Sequence, residues 1–541
     1  MRRFLPWFLI TTSLTGCSLA PDFKLPELNL PASFKEQPAQ AAPAIEEEKG
    51  NWKLAEPMEK ADRGQWWKIF GDEQLNELQK QALEANQSLK SASARVEQAR
   101  ATAESVSYTF LPDLDIGANA VRTRPSVAST AGFGGPPSTN MKPFTRFSGQ
   151  GVVSYEADLF GRVRDNYHAI SHDAEAEAAT YRSTLLALQA DVAQHYFSLR
   201  AVDSERQLLR DTVKIRAEAA RIMQHKYDVG TAGEPDLTRT LSELATSKAE
   251  LIGLDRQRAV LEHALAVLLG KMPSEFMFAE APLIGMPPAV PAGLPSSLLE
   301  RRPDIASAQS LMAAANNRIG VARAAFFPRI SLTASGGFES LSLADLFLWS
   351  NRTWALGQMA GSAITMPIFD SGRLFDKLDI AHASYDESLA NYRQQVLVAF
   401  RDVEDNLAGQ RLLGEQSAQL DAAAAASGRT TEVIQLRYRE GDVDFFEVVN
   451  AQRDSLATGR AAVQIRGQRF ITTLSLIRAL GGGWEDAMPA APAIEEPIAP
   501  EAAPVATPAT EEKPAPDTGA LQDMPLITPL LDDAPTTQKS E

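Results

Sequence analysis

Residues 162–229 form a run of 68 positions with neither Gly nor Pro, closed at its ends by Gly161 and Gly230. Gly and Pro are the main interrupters of a helix, and the Ala, Glu, Gln, Arg and Leu that dominate the run are good helix formers. At about 1.5 Å per residue, an unbroken helix of this length reaches roughly 100 Å, several times the length of an ordinary globular helix. No compact monomer holds such a rod, which belongs in a coiled coil or a tube of helices. Two ordinary helices with an unmarked break between them are the alternative that the run alone leaves open.

The chain does this twice. Residues 368–488 lack Pro entirely, and their landmarks repeat those of the first run. Gly161-Arg162 returns as Gly372-Arg373, Tyr227-Asp228-Val229-Gly230 as Tyr438-Arg439-Glu440-Gly441, and Leu268-Leu269-Gly270 as Ala479-Leu480-Gly481, all offset by 211 positions. Upstream, Phe110-Leu111-Pro112 pairs with Phe326-Phe327-Pro328 at an offset of 216. A constant offset over so long a stretch reads as an internal duplication, and its size makes each copy a structural half rather than a solenoid repeat.

The net charge of −16 is uneven, because residues 485–541 carry 12 acidic residues against 2 Lys. The body has no basic footprint, so no nucleic acid partner is expected. A single cysteine, Cys17, excludes internal disulfides and a CxxC metal framework. Arg2-Arg3 precedes a short apolar run, residues 4–14, and then Leu14-Thr15-Gly16-Cys17. That run is too short to span a bilayer and has the flanks of a cleavable export signal. Leu-Thr-Gly-Cys resembles a bacterial lipobox, which implies cleavage before Cys17, lipid on Cys17, and, with Ser18 rather than Asp next, the outer membrane. Two or more acyl chains would hold the chain firmly at a membrane surface. No later run of 18 apolar residues exists, so no helix is expected to cross a bilayer.

Five divisions follow: a signal peptide over 1–16, an extended lipid-anchored tether over 17–64, a first half over 65–295, a second over 296–484, and an acidic, Pro-rich, disordered tail over 485–541. Each half reads helix, hairpin, long helix, tip, return helix. The first hairpin (113–159) alternates Leu114, Ile116, Ala118 and Ala120 with Asp113, Asp115, Gly117 and Asn119, and returns through Phe147, Val153 and Tyr155. The long helix of this half covers 161–230. The second hairpin (329–369) alternates Ile330, Leu332, Ala334 and Phe338 outward and Trp354, Leu356 and Ile364 on the return, before a long helix over 370–440. The fold class is therefore α+β. Four strands per chain cannot close a membrane barrel, which needs at least eight, and open strand edges cannot face lipid. Closure by several chains resolves this, whereas a small soluble sheet capping a helical scaffold remains the alternative.

The chain is similar to the TolC-like outer membrane factor family of tripartite efflux and secretion systems, and most like its NodT-type lipoprotein branch. The resemblance covers residues 65–484 and rests on several stretches: Trp66-Trp67-Lys68-Ile69-Phe70-Gly71-Asp72, residues 154–162, Leu298-Leu299-Glu300-Arg301-Arg302-Pro303-Asp304-Ile305, Arg437-Tyr438-Arg439-Glu440-Gly441, and residues 479–484. It implies a homotrimer whose chains give four strands each to one outer-membrane β-barrel, continuous with a long periplasmic α-helical barrel and an equatorial belt. It implies a passive exit duct for small toxic compounds, engaged by a periplasmic adaptor (a membrane fusion protein) and an inner-membrane pump expected to be of the RND type. No enzymatic activity and no cofactor are implied. A duct for secreted polypeptides (type I secretion) and a lipid-anchored coiled-coil scaffold without a pore are the competing readings.

In such a tube the helix tips converge at the periplasmic end. Asp442 and Asp444, repeated by symmetry, would form a carboxylate ring that favours cations, although Asp is also common in turns for local reasons. Phe445 and Phe446 would supply an apolar constriction or pack the turn. Arg437 and Arg439, one turn back, would latch a neighbouring helix. The first tip, with Gly230, Gly233 and Pro235, and Gly441 in the second are expected at the groove where an adaptor docks. His168 and His172 have a spacing that can hold Zn or Cu, but no companion motif surrounds them and no metal is expected.

Overall fold

The computed structural model describes residues 18–27, 31, 33–36, 65–124, 142–288, 290, 301–357 and 362–482. The segment expected to be a signal peptide, Cys17, most of the region before residue 65 and residues 483–541 lie outside them. After a short 3-10 turn at Trp66–Phe70 come α1 (Glu73–Ala85), α2 (Gln87–Ser107), strands β1 (Asp113–Thr123) and β2 (Phe144–Ala157), the long helix α3 (Arg162–Asp228) and the return helix α4 (Glu234–Leu268). The second half follows with α5 (Pro303–Ala324), β3 (Arg329–Ser340), β4 (Arg352–Leu356), β5 (Ser362–Thr365), the long helix α6 (Arg373–Glu440) and the return helix α7 (Phe445–Ala479). The run is one helix without a break from Arg162 to Asp228, with Val229 as its C-cap.

The helix starts are specified locally. Asp72 Oδ1 accepts from Gln74 N and Leu75 N at 2.9 and 3.1 Å and begins α1, a cap of the kind that contributes about 1 kcal/mol. Asp158 accepts from the Val163 and Arg164 amides at 3.1 and 3.0 Å ahead of α3. Asp370 repeats the device ahead of α6, accepting from Gly372 N and Leu374 N at 3.1 and 2.8 Å. Each carboxylate satisfies amides that a helix start leaves unpaired and sits at the positive end of the helix dipole.

Helices α2 and α5 pack on α3, α5 and α7 pack on α6, and α4 and α7 complete the bundle against α3. The main core lies at mid-height: Trp66, Trp67, Leu75, Tyr196, Phe197, Leu199, Leu265, Phe470, Leu474 and Ile477 are buried in it. A second core of Ile305, Met312, Tyr392, Val396 and Ala399 joins α5 to α6. The region before residue 65, expected to be a tether, is in part laid against the body. Phe34 is buried against Phe400, and the Lys35 and Glu36 amides donate to the Glu404 carboxylate at 2.8 and 3.1 Å.

The strands form one antiparallel sheet in the order β1-β2-β3-β4, with β5 pairing β3 beyond β4. Register places Leu114 opposite Val153, Val153 opposite Ala334, and Ala334 opposite Leu356. The second return segment is thus split into β4 and β5, which share one sheet position beside β3.

Candidate functional site

Because strand side chains alternate, this register sorts the sheet by face. One face carries Leu114, Ile116, Val153, Tyr155, Ile330, Leu332, Phe338, Trp354, Leu356 and Ile364. The other carries Asp115, Asn119, Arg146, Ser148, Gln150, Thr333, Ser335, Glu339 and Thr353. Among the described residues only Phe347, against Phe338, packs on this apolar face, and most of it is open: Ile116 is 86% exposed and Trp354 76%. In water this would be a large contiguous apolar patch. An outward apolar band with a polar interior is instead the pattern of a transmembrane β-barrel wall. Among the described residues the soluble-sheet alternative has no helix to cover this surface.

At the opposite end of the rods are two tips built alike. In the first, Gly230 takes φ 76°, its amide donates to Tyr227 O at 2.9 Å, and Thr231 N donates to Lys226 O at 2.8 Å. In the second, Gly441 takes φ 84°, its amide donates to Tyr438 O at 3.1 Å, and Asp442 N donates to Arg437 O at 2.9 Å. Both are Schellman closures, which require a left-handed residue and favour Gly. Gly233 then stands at the N-cap of α4 with Pro235 in its first turn, where Pro's missing amide costs nothing.

The predicted gate residues divide by role. Asp444 accepts from Glu447 N at 3.1 Å and caps α7, whereas Asp442 caps nothing. The Arg437 guanidinium is 3.6 Å from Asp442 within the same tip, both side chains being more than half exposed, because the Schellman closure folds residue 442 back over residue 437. Arg439 is exposed, and no ion pair of its own is found among the described residues. Phe445 packs on Tyr438 at 5.7 Å, and Phe446 lies under the Arg239 guanidinium at 4.6 Å.

The contacts that join the tips across the duplication come from residues outside the expected gate, latch and docking sets. Lys226 donates to the Tyr438 hydroxyl. Glu243, buried on α4, receives both Arg216 of α3 and Arg453 of α7. Tyr438 belongs to a repeated motif and could have been found there, whereas Lys226, Glu243 and Arg453 carry no local signal. His168 and His172 are not brought together with a ligand set. His172 pairs with Glu175 at 2.8 Å, and no metal-competent cluster occurs among the described residues. Cys17 lies outside the described residues.

A one-sided apolar sheet carried on roughly 100 Å helical rods defines the wall subunit of an outer-membrane channel. The chain belongs to the outer membrane efflux protein family, whose model matches residues 78–271 and 294–482, one match in each half. It is 33% identical over 482 residues to the toluene efflux pump outer membrane protein TtgF of Pseudomonas putida, covering 88% of this chain and 96% of that protein. It is 29% identical over 489 residues to the cation efflux system protein CusC of Escherichia coli, covering 89% and 99%. The Campylobacter jejuni CmeC outer membrane channel matches with a TM-score of 0.74 and 26% identity, over 86% of this chain and 95% of that one. The protein is an outer-membrane efflux channel component.

Proposed function

We propose that three copies of this chain form one passive duct from the periplasm through the outer membrane, the exit of a tripartite pump for small toxic organic compounds. The observation that carries this is the open sheet. Among the described residues, strand β1 and the β4/β5 position have no partner on their outer sides, and unpaired edges are untenable in lipid. Two copies would make the smallest known barrels, which side chains fill; three give twelve strands and an open lumen. Helix α6 supports the reading. Leu397, Leu412 and Leu436 are exposed along it, as they would be on a rod that meets neighbouring copies.

In this reading Cys17 carries the lipid, and the chain performs no chemistry of its own. Asp442 and Asp444 ring the periplasmic mouth, with Phe445 and Phe446 behind them. The grooves around Gly230, Gly233, Pro235 and Gly441 receive a periplasmic adaptor, which couples the duct to an inner-membrane pump of the RND type. The toluene pump named among the relatives supports an organic cargo. The cation system named there, taken with the acidic tip, supports a metal cation as the second reading. The test is a crosslinked pull-down from cells with partners identified by mass spectrometry. An adaptor with a proton-driven pump is the expected result. An adaptor with an ATP-driven exporter would move the assignment to polypeptide secretion, and recovery without any envelope partner would refute the duct.

A further inference from the structure

The loop between β3 and β4 (residues 341–351) is closed by its own hydrogen bonds and turns its apolar side chains outward. Leu346 N donates to Leu343 O at 3.4 Å, Leu348 N to Asp345 O at 3.2 Å, and Asn351 N to Leu348 O at 2.8 Å. Asn351 Nδ2 also donates to Asp345 O at 2.6 Å. Leu346 is buried, but Leu341, Leu343, Phe347, Leu348 and Trp349 are all exposed. The Phe347 ring meets Phe338 edge to face at 5.7 Å, and a Cβ on Gly149 would stand 3.9 Å from it. Gly149 and Phe338 lie opposite each other on the apolar face of the sheet. The loop therefore folds over the outside of the sheet and not into the lumen. It rests on β2 and β3, away from the β1 and β4/β5 edges where another copy would join.

The charges on this face are equally one-sided. Arg352 pairs in register with Phe338 and Arg122 with Thr145, so both stand with the apolar set. Among the described strand residues they are the only charged groups on that face, and both lie at the end remote from the helices. On the other face, Arg146 is paired with Glu339 at 3.2 Å. Arg352 donates to Trp349 O at 2.9 Å, and its guanidinium lies 4.8 Å from the Trp349 ring centre. No ion pair of Arg122 or Arg352 is found among the described residues, and Asp345 is the one acid of the loop. An exposed Trp beside a guanidinium, directly above Trp354 and Leu356, suits a membrane interface, where the ring sits among headgroups and the cation meets phosphate. We infer that the 341–351 loop lies in the outer leaflet, with Arg352 and Arg122 binding phosphate-bearing lipid headgroups there. This rests on the reading of the apolar face as lipid-facing. Barrel closure by other copies would set Arg122 of one chain beside β4 of the next.

The experiment uses the full-length protein purified from membranes and reconstituted in phosphatidylcholine vesicles, with and without phosphorylated lipid A. Lipid A retained after detergent extraction is read by native mass spectrometry. Arg352→Gln and Arg122→Gln are each expected to lower retention about fivefold. Arg352→Lys should keep most of it, and Arg146→Gln, on the lumen face, should change nothing. Wild-type retention in both Gln variants, or equal retention of dephosphorylated lipid A, would overturn the phosphate site. The loop's depth is read separately, from Trp fluorescence with acyl-brominated phosphatidylcholine and with aqueous acrylamide. The signal lost in Trp349→Phe should be the part that brominated lipid quenches and acrylamide spares. Quenching by acrylamide instead would overturn the loop's place in the leaflet. So would association of assembled channels in detergent that Trp349→Phe abolishes, since another copy would then cover the loop. Trp354, deeper on the same face, separates the two readings. If brominated lipid quenches Trp354 and not Trp349, the loop inference fails alone; if it quenches neither, the lipid-facing sheet fails with it.

Discussion

The Lys226 ammonium donates to the Tyr438 hydroxyl at 3.0 Å and lies 5.1 Å from the centre of the Tyr438 ring. Tyr438 is the duplicate of Tyr227, so this contact fastens the last turn of α3 to the last turn of α6. Phe445 leans on the same ring, and one tyrosine therefore links the first tip to the chain reversal that begins α7. Tyr438→Phe keeps the ring and removes the hydroxyl. A partly exposed contact of this kind contributes about 0.5–1 kcal/mol, so the open population should rise about two- to fivefold. Single-channel recording in planar bilayers is the measurement, with wild-type conductance and open time as the result that counts against a restraining contact.

The two acidic residues of the second tip are separable. Asp444→Asn keeps an oxygen for the Glu447 amide, whereas Asp444→Ala loses the cap at a cost of about 1 kcal/mol. Asp442 caps nothing, so Asp442→Asn should change only charge and its pairing with Arg437. If the pair of carboxylates sets selectivity, Asp442→Asn and Asp444→Asn should each lower the cation-to-anion permeability ratio, with thermal stability unchanged. Reversal potentials under a salt gradient measure this. A drop confined to Asp444→Ala and accompanied by a lower Tm would mean the acids shape the turn and do not select ions.

How far the sequence could be read follows from range. The rods, both hairpins, the capping aspartates and the Gly tips depend on residues within a few positions of each other, and periodicity or a missing Gly or Pro exposes them. The apolar face was legible because strand alternation needs only order, although the β4/β5 split was not. The pairing of Arg437 with Asp442 was not legible, because it needs the Schellman closure to bring residue 442 back over residue 437. The Lys226–Tyr438 and Glu243–Arg453 contacts join residues more than 200 positions apart, and only the folded chain brings them together.

At the start of α5, Asp304 is partly buried, which alone would raise its carboxyl. Two bonds from Arg302, the charge of that guanidinium, Gln395 and the Ile305 amide together hold it below its ordinary value. A folded-state value below the unfolded one means the unfolded chain binds the proton more readily. This carboxylate therefore stabilises the fold above the ordinary Asp range, and the contribution disappears as pH falls through the depressed value. Asp304→Asn should lower Tm at neutral pH and flatten its decline in acid, bringing the two curves together at the acidic end. Parallel curves would show that other groups govern the acid limb.

Ile116 tests the sheet's orientation most directly. It stands on the apolar face of β1, opposite Gly151, while Asn119 stands on the polar face opposite Ser148. If the apolar face meets lipid, Ile116→Arg places a charge in hydrocarbon and should destabilise the barrel by about 2–4 kcal/mol near the bilayer midplane. Asn119→Arg adds the same charge to the lumen and should leave assembly intact while shifting conductance. Recovery of folded, heat-modifiable oligomer from outer membranes distinguishes the two. Equal yields for both variants would mean that the apolar face is covered by protein rather than lipid, and the barrel wall would then have to be assigned to other residues.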